Sequence, residues 1–309
     1  MMRWFVLALA IAACLLLGLA IGEQWINPFA ASSPMEQTIL WDLRLPRLLT
    51  AFAIGGLLAL AGAWFQVLLG NPLAEPYVLG VAGSASLGAV SGLMFVSESP
   101  WAMSAGAFAG AWLGIATVML FSRLGANRML LAGVVLAAFW SALLAMLLAL
   151  LPEQGLFRAF AWMMGDLSHS DLPLVVLLSA WGVALGCGLL LSRSLDVLLL
   201  GERHAEALGV DVKRLRQRLL LLASAVTALA VTAAGTIGFV GLVIPHLMRL
   251  VFGALHRAVL PASAIGGGLL LMLADSAART VIAPAELPVG VLTAMIGVPV
   301  FLYLLLRRA

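Results

Sequence analysis

Ten apolar stretches dominate the chain, at about residues 3–22, 46–69, 77–96, 101–122, 129–151, 171–192, 216–235, 238–254, 259–282 and 287–306. A helix crossing a bilayer needs about 20 apolar residues at 1.5 Å rise each. The pattern therefore predicts an all-α, polytopic membrane protein of about ten transmembrane helices. Polar or irregular segments separate the stretches, the longest being Glu23–Leu45, Pro152–Ser170 and Arg193–Leu215. The other six are short, which makes most neighbouring helices antiparallel. The spans are rich in Gly and Ala, residues that let helix backbones approach closely in lipid. No soluble domain or low-complexity tail interrupts them, and residues 1–309 read as one transmembrane domain.

Composition sharpens this reading by exclusion. Of the 309 residues 63% are hydrophobic and 10% charged, with a mean hydropathy of +1.12. A soluble domain carries roughly 25% charged residues. There is too little polar surface to coat a water-soluble globule, so a soluble enzyme, a nucleic-acid binder and a disordered scaffold are all excluded. Cys14 and Cys187 lie in apolar runs and behave as small hydrophobes. The first stretch, longer than a signal-peptide core and without a clear small-residue cleavage site, reads as an uncleaved helix.

Basic residues set the orientation. If each stretch crosses once, one side receives Arg3, Arg123, Arg128, Arg193, Arg203, Lys213, Arg214, Arg216, Arg218, Arg249, Arg257, Arg307 and Arg308. The other receives Arg44, Arg47, Arg158 and Arg279. Thirteen against four places both termini in the cytoplasm.

Several polar segments could carry function. Gly201–Val210 reads as a short amphipathic helix closed by Gly209, with Ala205 and Leu208 at i, i+3 forming a small apolar ridge. Such a helix either rests on lipid or docks a soluble cytoplasmic subunit. Gly70-Asn-Pro-Leu-Ala-Glu-Pro76 holds two prolines, which fix two backbone angles and remove two donors. It is a plain loop or a constriction at a pore mouth, with Asn71 and Leu73 as its candidates. On the outer side Arg44, Arg47 and Arg279 either snorkel to headgroups or form a cationic rim for an acidic soluble protein. Asp275 lies inside a span, and Arg279 one turn on is its expected neutralising partner. His246 and Arg249, one turn apart after Pro245, read as structural. The loop Ser168-His-Ser-Asp171 reads as an ordinary outer loop. No G-x-x-x-x-G-K-[ST] loop and no H-E-x-x-H motif occurs. No clustered Met or His array marks a metal pathway.

These segments resemble, in order and over essentially the whole chain, the permease subunits of bacterial ATP-binding cassette (ABC) importers for ferric siderophores, haem and cobalamin, the type II importers. The matching motifs are Leu43-Arg-Leu-Pro-Arg47, Gly62-Ala-Trp-Phe-Gln66, Asn71-Pro-Leu-Ala-Glu-Pro76, Leu79-Gly-Val81 and Leu131-Ala-Gly133. Further along come Gly201-Glu with Ala205 and Leu208-Gly209, and Gly235-Thr-Ile-Gly-Phe-Val-Gly-Leu-Val-Ile-Pro-His246 with Arg249. Leu273-Ala-Asp275 with Arg279, and Glu286-Leu-Pro-Val-Gly290, complete the set.

The resemblance implies ten helices per subunit in the bacterial inner membrane and a second permease subunit, expected to be a second copy of this chain. It further implies two cytoplasmic ATPase subunits and a periplasmic substrate-binding protein. By position Arg44, Arg47 and Arg279 look like the family's arginines that meet glutamates on the binding protein. Gly201, Glu202, Ala205, Leu208 and Gly209 look like the helix that sits in an ATPase groove. Asn71 and Leu73 look like one cytoplasmic gate, and Ala126 and Asn127 like the other. There the cobalamin permease has small hydroxyl residues, and Gly83-Ser84 stands where many relatives carry a Ser/Asn-Gly pair. The resemblance implies no catalytic residue, metal or cofactor on this chain, with ATP and Mg on the partner. The rival from another class is an ion-gradient-driven secondary transporter, for which Asp275 is the one intramembrane candidate.

Overall fold

The computed structural model describes residues 2–306 apart from residues 23, 31–32, 78, 97–100, 122–125, 169, 171 and 284, and for residues 126, 127, 304 and 305 the backbone alone. His169, Asp171, Arg123, Glu23, Glu98, Arg307, Arg308 and the side chains of the gate candidates Ala126 and Asn127 thus lie outside the description.

All the regular secondary structure of the described residues is helical. Helix α1 (Met2–Ala20) leads to α2 (Pro34–Thr38), which runs through a π-helical turn (Ile39–Arg44) into α3 (Leu45–Leu68). Helices α4 (Val81–Phe95), α5 (Ala102–Phe121) and α6 (Ala126–Leu150) follow. Next come α7 (Glu153–Met163), α8 (Leu174–Leu198) and the short α9 (Glu202–Ala207). The chain closes with α10 (Val212–Ala234), α11 (Val240–Phe252), α12 (His256–Ala278) and α13 (Val289–Leu306).

Ten of these match the ten apolar stretches, and seven are long and apolar enough to cross a membrane. Helices α2, α7 and α9 occupy the three long polar segments. Ser33 and Glu36 form a reciprocal cap at the start of α2. Lys213–Leu215, in the polar segment that ends at Leu215, belong to the first turn of α10, where Asp211 Oδ1 accepts from Arg214 N–H at 2.9 Å. Helix α8 likewise runs on past Arg193 to Leu198.

Two spans are shorter than their apolar stretches. Helices α4 and α11 have 15 and 13 residues, about 22 and 20 Å at 1.5 Å per residue, against a hydrocarbon core of about 30 Å. The missing length is taken up by two non-helical segments, residues 70–77 with 79–80, and residues 235–239. Gly80 packs on Ala137, the middle of α6, and Gly241 on Leu58, the middle of α3. From Ala74 onward the first segment, like the second, therefore runs inside the bundle, whereas Gly70, Pro72 and Leu73 stay at the surface. Thr236-Ile237 is not the surface turn its sequence resembles. Backbone that is not helical survives at membrane depth only where protein groups satisfy it.

Helix α3 is the axis of the core, with Ala53–Leu68 buried without a break. Because lipid is as apolar as a core, packing rather than water exclusion holds such helices together, and glycines set the approach. A Cβ on Gly55 would overlap the carbonyl of Gly267 in α12, and one on Gly62 the carbonyl of Gly241 in α11. Helices α4 and α5 meet in the same way, Gly88 against Gly106 and Gly110 against the Ser84 carbonyl. Helix α6, by contrast, leaves Leu131, Val134, Val135, Phe139, Met146 and Leu150 exposed. That face is free for lipid or for another subunit.

Candidate functional site

At the outer end the three sequence-identified arginines converge on one pocket of about 440 Å³, which Glu286 and Ser168 also line. Arg47 and Arg279 share a buried acid, Asp275, while Arg44 is held separately on backbone carbonyls. Arg44, in the π-helical turn, is 7% exposed. Its Nη1 donates to the Leu19 and Ala20 carbonyls (2.5 and 3.2 Å) and its Nη2 to that of Gln24 (2.7 Å). A cation on the carbonyls of Leu19 and Ala20 at the end of α1 is favourable both as a cap and against the helix dipole. Gly22 leaves the room, since a Cβ there would lie 2.7 Å from Arg44 Cζ. Arg44 thus turns inward and does not snorkel.

Arg47, in the first turn of α3, bridges two acids. Its Nε donates to both carboxylate oxygens of Asp275 (3.0 and 3.1 Å) and its Nη2 to Oδ1 (2.9 Å). The outward edge takes Glu286, with Nη1 to Oε1 at 3.1 Å and Nη2 to Oε2 at 2.9 Å. Arg279 Nε lies 3.2 Å from Asp275 Oδ2, close enough for an ion pair but poorly aligned for a hydrogen bond. Its Nη2 is buried with no acceptor among the described residues. The pairing of Asp275 with Arg279 expected from their spacing is present, yet Arg47, 228 residues away in sequence, is the closer partner. Glu286 was visible only as part of a motif.

At the inner end α9 starts at Gly201 (φ +104°) and is closed by Gly209 (φ +83°), both in the region that favours glycine. Ala205 and Leu208 do not form one ridge. Ala205 is fully buried among Leu195, Leu198, Val212, Leu215 and Leu219, whereas Leu208 is exposed. On so short a helix the i, i+3 pair straddles its boundary. The inward member anchors and the outward one presents itself, beside exposed Arg203, His204, Glu206 and Ala207. Glu202 pairs with Arg216 and ties α9 to α10. Asp196 at the end of α8 accepts from His256 N–H (2.9 Å) and meets its Nδ1 (2.6 Å), joining α8 to α12.

Between these ends the two non-helical segments brace one another. Asn71 Oδ1 accepts from Leu73 N–H at 2.9 Å, closing a tight turn that leaves Leu73 exposed. Farther in, Glu75 Oε1 accepts from Phe239 N–H at 2.6 Å. Phe239 is the one non-glycine described residue with positive φ, +68°. The Tyr77 hydroxyl donates to the Ile237 carbonyl (3.1 Å) and accepts from Ile237 N–H (3.0 Å). Gln66 Nε2 donates to the Leu242 carbonyl at 3.2 Å, and its Oε1 accepts from Arg249. Sequence reasoning missed Glu75, Tyr77 and Gln66 as a group. Gln66 and Glu75 lie in two of the motifs that carry the resemblance, an amide and an acid in otherwise apolar surroundings, but nothing in the sequence joined them to one another or to Tyr77. At the outer end of the break, Asp166 N–H donates to the Ala234 carbonyl and Gly290 N–H to that of Met164 (3.0 and 3.1 Å). Helices α7, α10 and α13 are stitched together there.

The pattern of the FecCD transport family matches residues 8–307. The chain belongs to the FecCD transport family. Among its relatives in this family is the "Vitamin B12 import system permease protein BtuC" of Vibrio cholerae serotype O1, 42% identical over 99% of this chain and 93% of that protein. The protein of the same name in Salmonella typhi is 39% identical over 99% and 96%. In structure this FecCD chain is similar to a metal-chelate type ABC transporter in an inward-facing conformation. The TM-score there is 0.91 at 32% identity, covering 98% of both chains. PsaBC from Streptococcus pneumoniae is also similar, with a TM-score of 0.61 over 87% of this chain and 93% of that one. At 17% identity it speaks for the fold alone. This FecCD chain is thus an ABC importer permease, and nothing in these likenesses favours the gradient-driven alternative.

Proposed function

We propose that this permease conducts a cobalamin-type chelate from periplasm to cytoplasm, working as one unit over residues 1–309. It does so beside a second permease subunit, above two ATPase subunits that hold ATP and Mg, and below a periplasmic binding protein. The observation that carries the substrate class is the end-to-end identity, 42% over 99% of the chain, to a permease named for vitamin B12 import. The same likeness supports an inner-membrane location, and the exposed face of α6 is open to a second copy.

Under this reading each end has a mechanical task. Arg44, Arg47 and Arg279 mark where the binding protein docks, because cations are concentrated there on the outer side. Residues 201–209 receive the ATPase, with Leu208 and the polar face outward and Ala205 as the anchor. Asn71 and Leu73, with Ala126 and Asn127, form the cytoplasmic gate. ATP works only through its unequal affinity for the two conformations of the assembly.

Proteoliposomes holding the permease, its ATPase and its binding protein, given labelled cyanocobalamin outside and ATP inside, test the proposal. ATP-dependent uptake is the expected result. Uptake of ferric siderophore or haem in place of cobalamin would replace the substrate, and uptake by the permease alone would overturn the mechanism.

A further inference from the structure

We infer that Glu286 is a built-in competitor at the docking site: its carboxylate occupies the outward edge of the Arg47 guanidinium, and an acidic side chain of the binding protein docks by displacing it. This inference rests on the docking role proposed above for the arginines.

The geometry divides Arg47 into two halves. A guanidinium offers five N–H donors in a fixed planar fork. The inner edge is spent on Asp275, whose side chain is fully buried and also faces Arg279. That carboxylate cannot be exchanged without stranding two arginines. The outer edge is held by Glu286 through two parallel hydrogen bonds, the geometry by which an arginine grips any carboxylate. Glu286, however, is 45% exposed at its side chain. An ion pair in contact with water binds weakly and is screened by salt. Its carboxylate is therefore the exchangeable one.

The loop is built for that exchange. Glu286 sits between α12 and α13, and the next residue is anchored by Leu287 N–H donating to the Ala278 carbonyl at 3.0 Å. The Glu286 side chain can leave by a rotamer change while the backbone stays. An incoming acid also has more to gain than Glu286 has. Arg279 lines the same pocket, and its Nη2, buried and without an acceptor among the described residues, gains one if the guanidinium turns toward the pocket. A carboxylate able to reach both arginines replaces one cationic partner with two. Among Arg44, Arg47, Arg279, Asp275 and Glu286 the formal charge is +1, and it becomes +2 when Glu286 swings out.

The test is the affinity of ligand-free binding protein for detergent-solubilised permease with its ATPase, so that the outcome does not depend on cargo. Glu286→Gln is expected to tighten binding at least threefold at low salt, with less gain at high salt. Glu286→Asp keeps the charge but shortens the reach, and is expected to tighten binding less. An unchanged or weaker affinity in Glu286→Gln overturns the inference, weakening meaning that Glu286 itself holds a cation of the partner. A double variant, Arg47→Gln with Asp275→Asn, removes the fork together with its buried acid; it leaves Arg279 without that acid, so its affinity is read below its measured melting point. It is expected to weaken binding at least tenfold and to abolish the effect of Glu286→Gln. If the double variant binds like the parent, the docking role of Arg47 is wrong. If it weakens binding while Glu286→Gln changes nothing, only the competition is wrong.

Discussion

Asp275→Asn separates a structural acid from a transporting one. The side chain of Asp275 is fully buried, with Arg47 Nη2 at 2.9 Å and Arg279 Nε at 3.2 Å. Asparagine has the same shape and keeps one acceptor, so no cavity opens, and what is lost is charge. Two unit charges about 4 Å apart attract by about 4 kcal/mol at an effective dielectric of about 20. Arg47 keeps Glu286 as a second partner, whereas Arg279 keeps no acid among the described pairs. Breaking a buried pair from one side costs about 3–5 kcal/mol, and the second partner places Asp275→Asn near the lower figure, about 3 kcal/mol. At roughly 2 °C per kcal/mol for a chain this long, the melting point falls by about 6 °C.

The assay is thermal unfolding in detergent, followed by intrinsic tryptophan fluorescence. Asp275→Asn combined with Arg279→Gln removes the stranded cation and should recover most of the loss. Uptake by the single variant, reconstituted below its melting point, should remain dependent on ATP and indifferent to a proton gradient. A melting point within 1 °C of the parent would refute the charge argument. Loss of proton-driven uptake in a stable variant would revive Asp275 as an ion site.

Other substitutions test other parts of the structure. Glu75→Ala leaves Phe239 N–H without its acceptor and should cost about 1–3 kcal/mol in the same melt, whereas Glu75→Gln, which keeps an oxygen, should cost under about 1. Gly62→Ala drives a methyl into the Gly241 carbonyl and should cost about 1–3 kcal/mol as overpacking. Gly186→Ala meets nothing within 4 Å and should be neutral or stabilising by up to about 1 kcal/mol. Leu208→Ala, on the exposed side of α9, should lower ATP-driven uptake with the melt unchanged. Ala205→Glu, in the buried seat of α9, should lower the melt itself.

What could be read from the sequence follows from what hydropathy records. An apolar run fixes that a segment lies in the membrane. The ten runs therefore mapped onto ten helices, and the two short outer and inner helices α2 and α9 fell in polar gaps. Hydropathy does not record whether the backbone is helical. Leu79, Ile237 and Phe239 are as apolar as their helical neighbours, so α4 and α11 looked like full spans. Their irregular turns persist only because Glu75 and Tyr77 reach across 164 and 160 positions to satisfy them. The same limit hid the Arg47 fork. Arg279 lies one turn from Asp275 and could be paired with it by counting, whereas Arg47 and Glu286 are 239 positions apart.

These long-range ties also determine which parts must move together. Ala205 is packed into the seat formed by α8 and α10, and Glu202 is paired with Arg216, so a push on α9 is a push on α10. At its far end α10 is stitched to α7 at Asp166 and Ala234, next to where α13 begins. Between α10 and α11 lies the break at 235–239, whose last residue, Phe239, holds a left-handed turn that a bulky side chain does not favour. From α9 the chain therefore runs on as a continuous helix, α10, and then into an irregular joint. That joint is held by a carboxylate and a phenol from the segment carrying Asn71 and Leu73. Bending is cheapest where the ladder of helical hydrogen bonds is already interrupted. The inner loop thus reaches the outer ends through the uninterrupted length of α10, and the irregular joint that follows, held by Glu75 and Tyr77, passes on to α11.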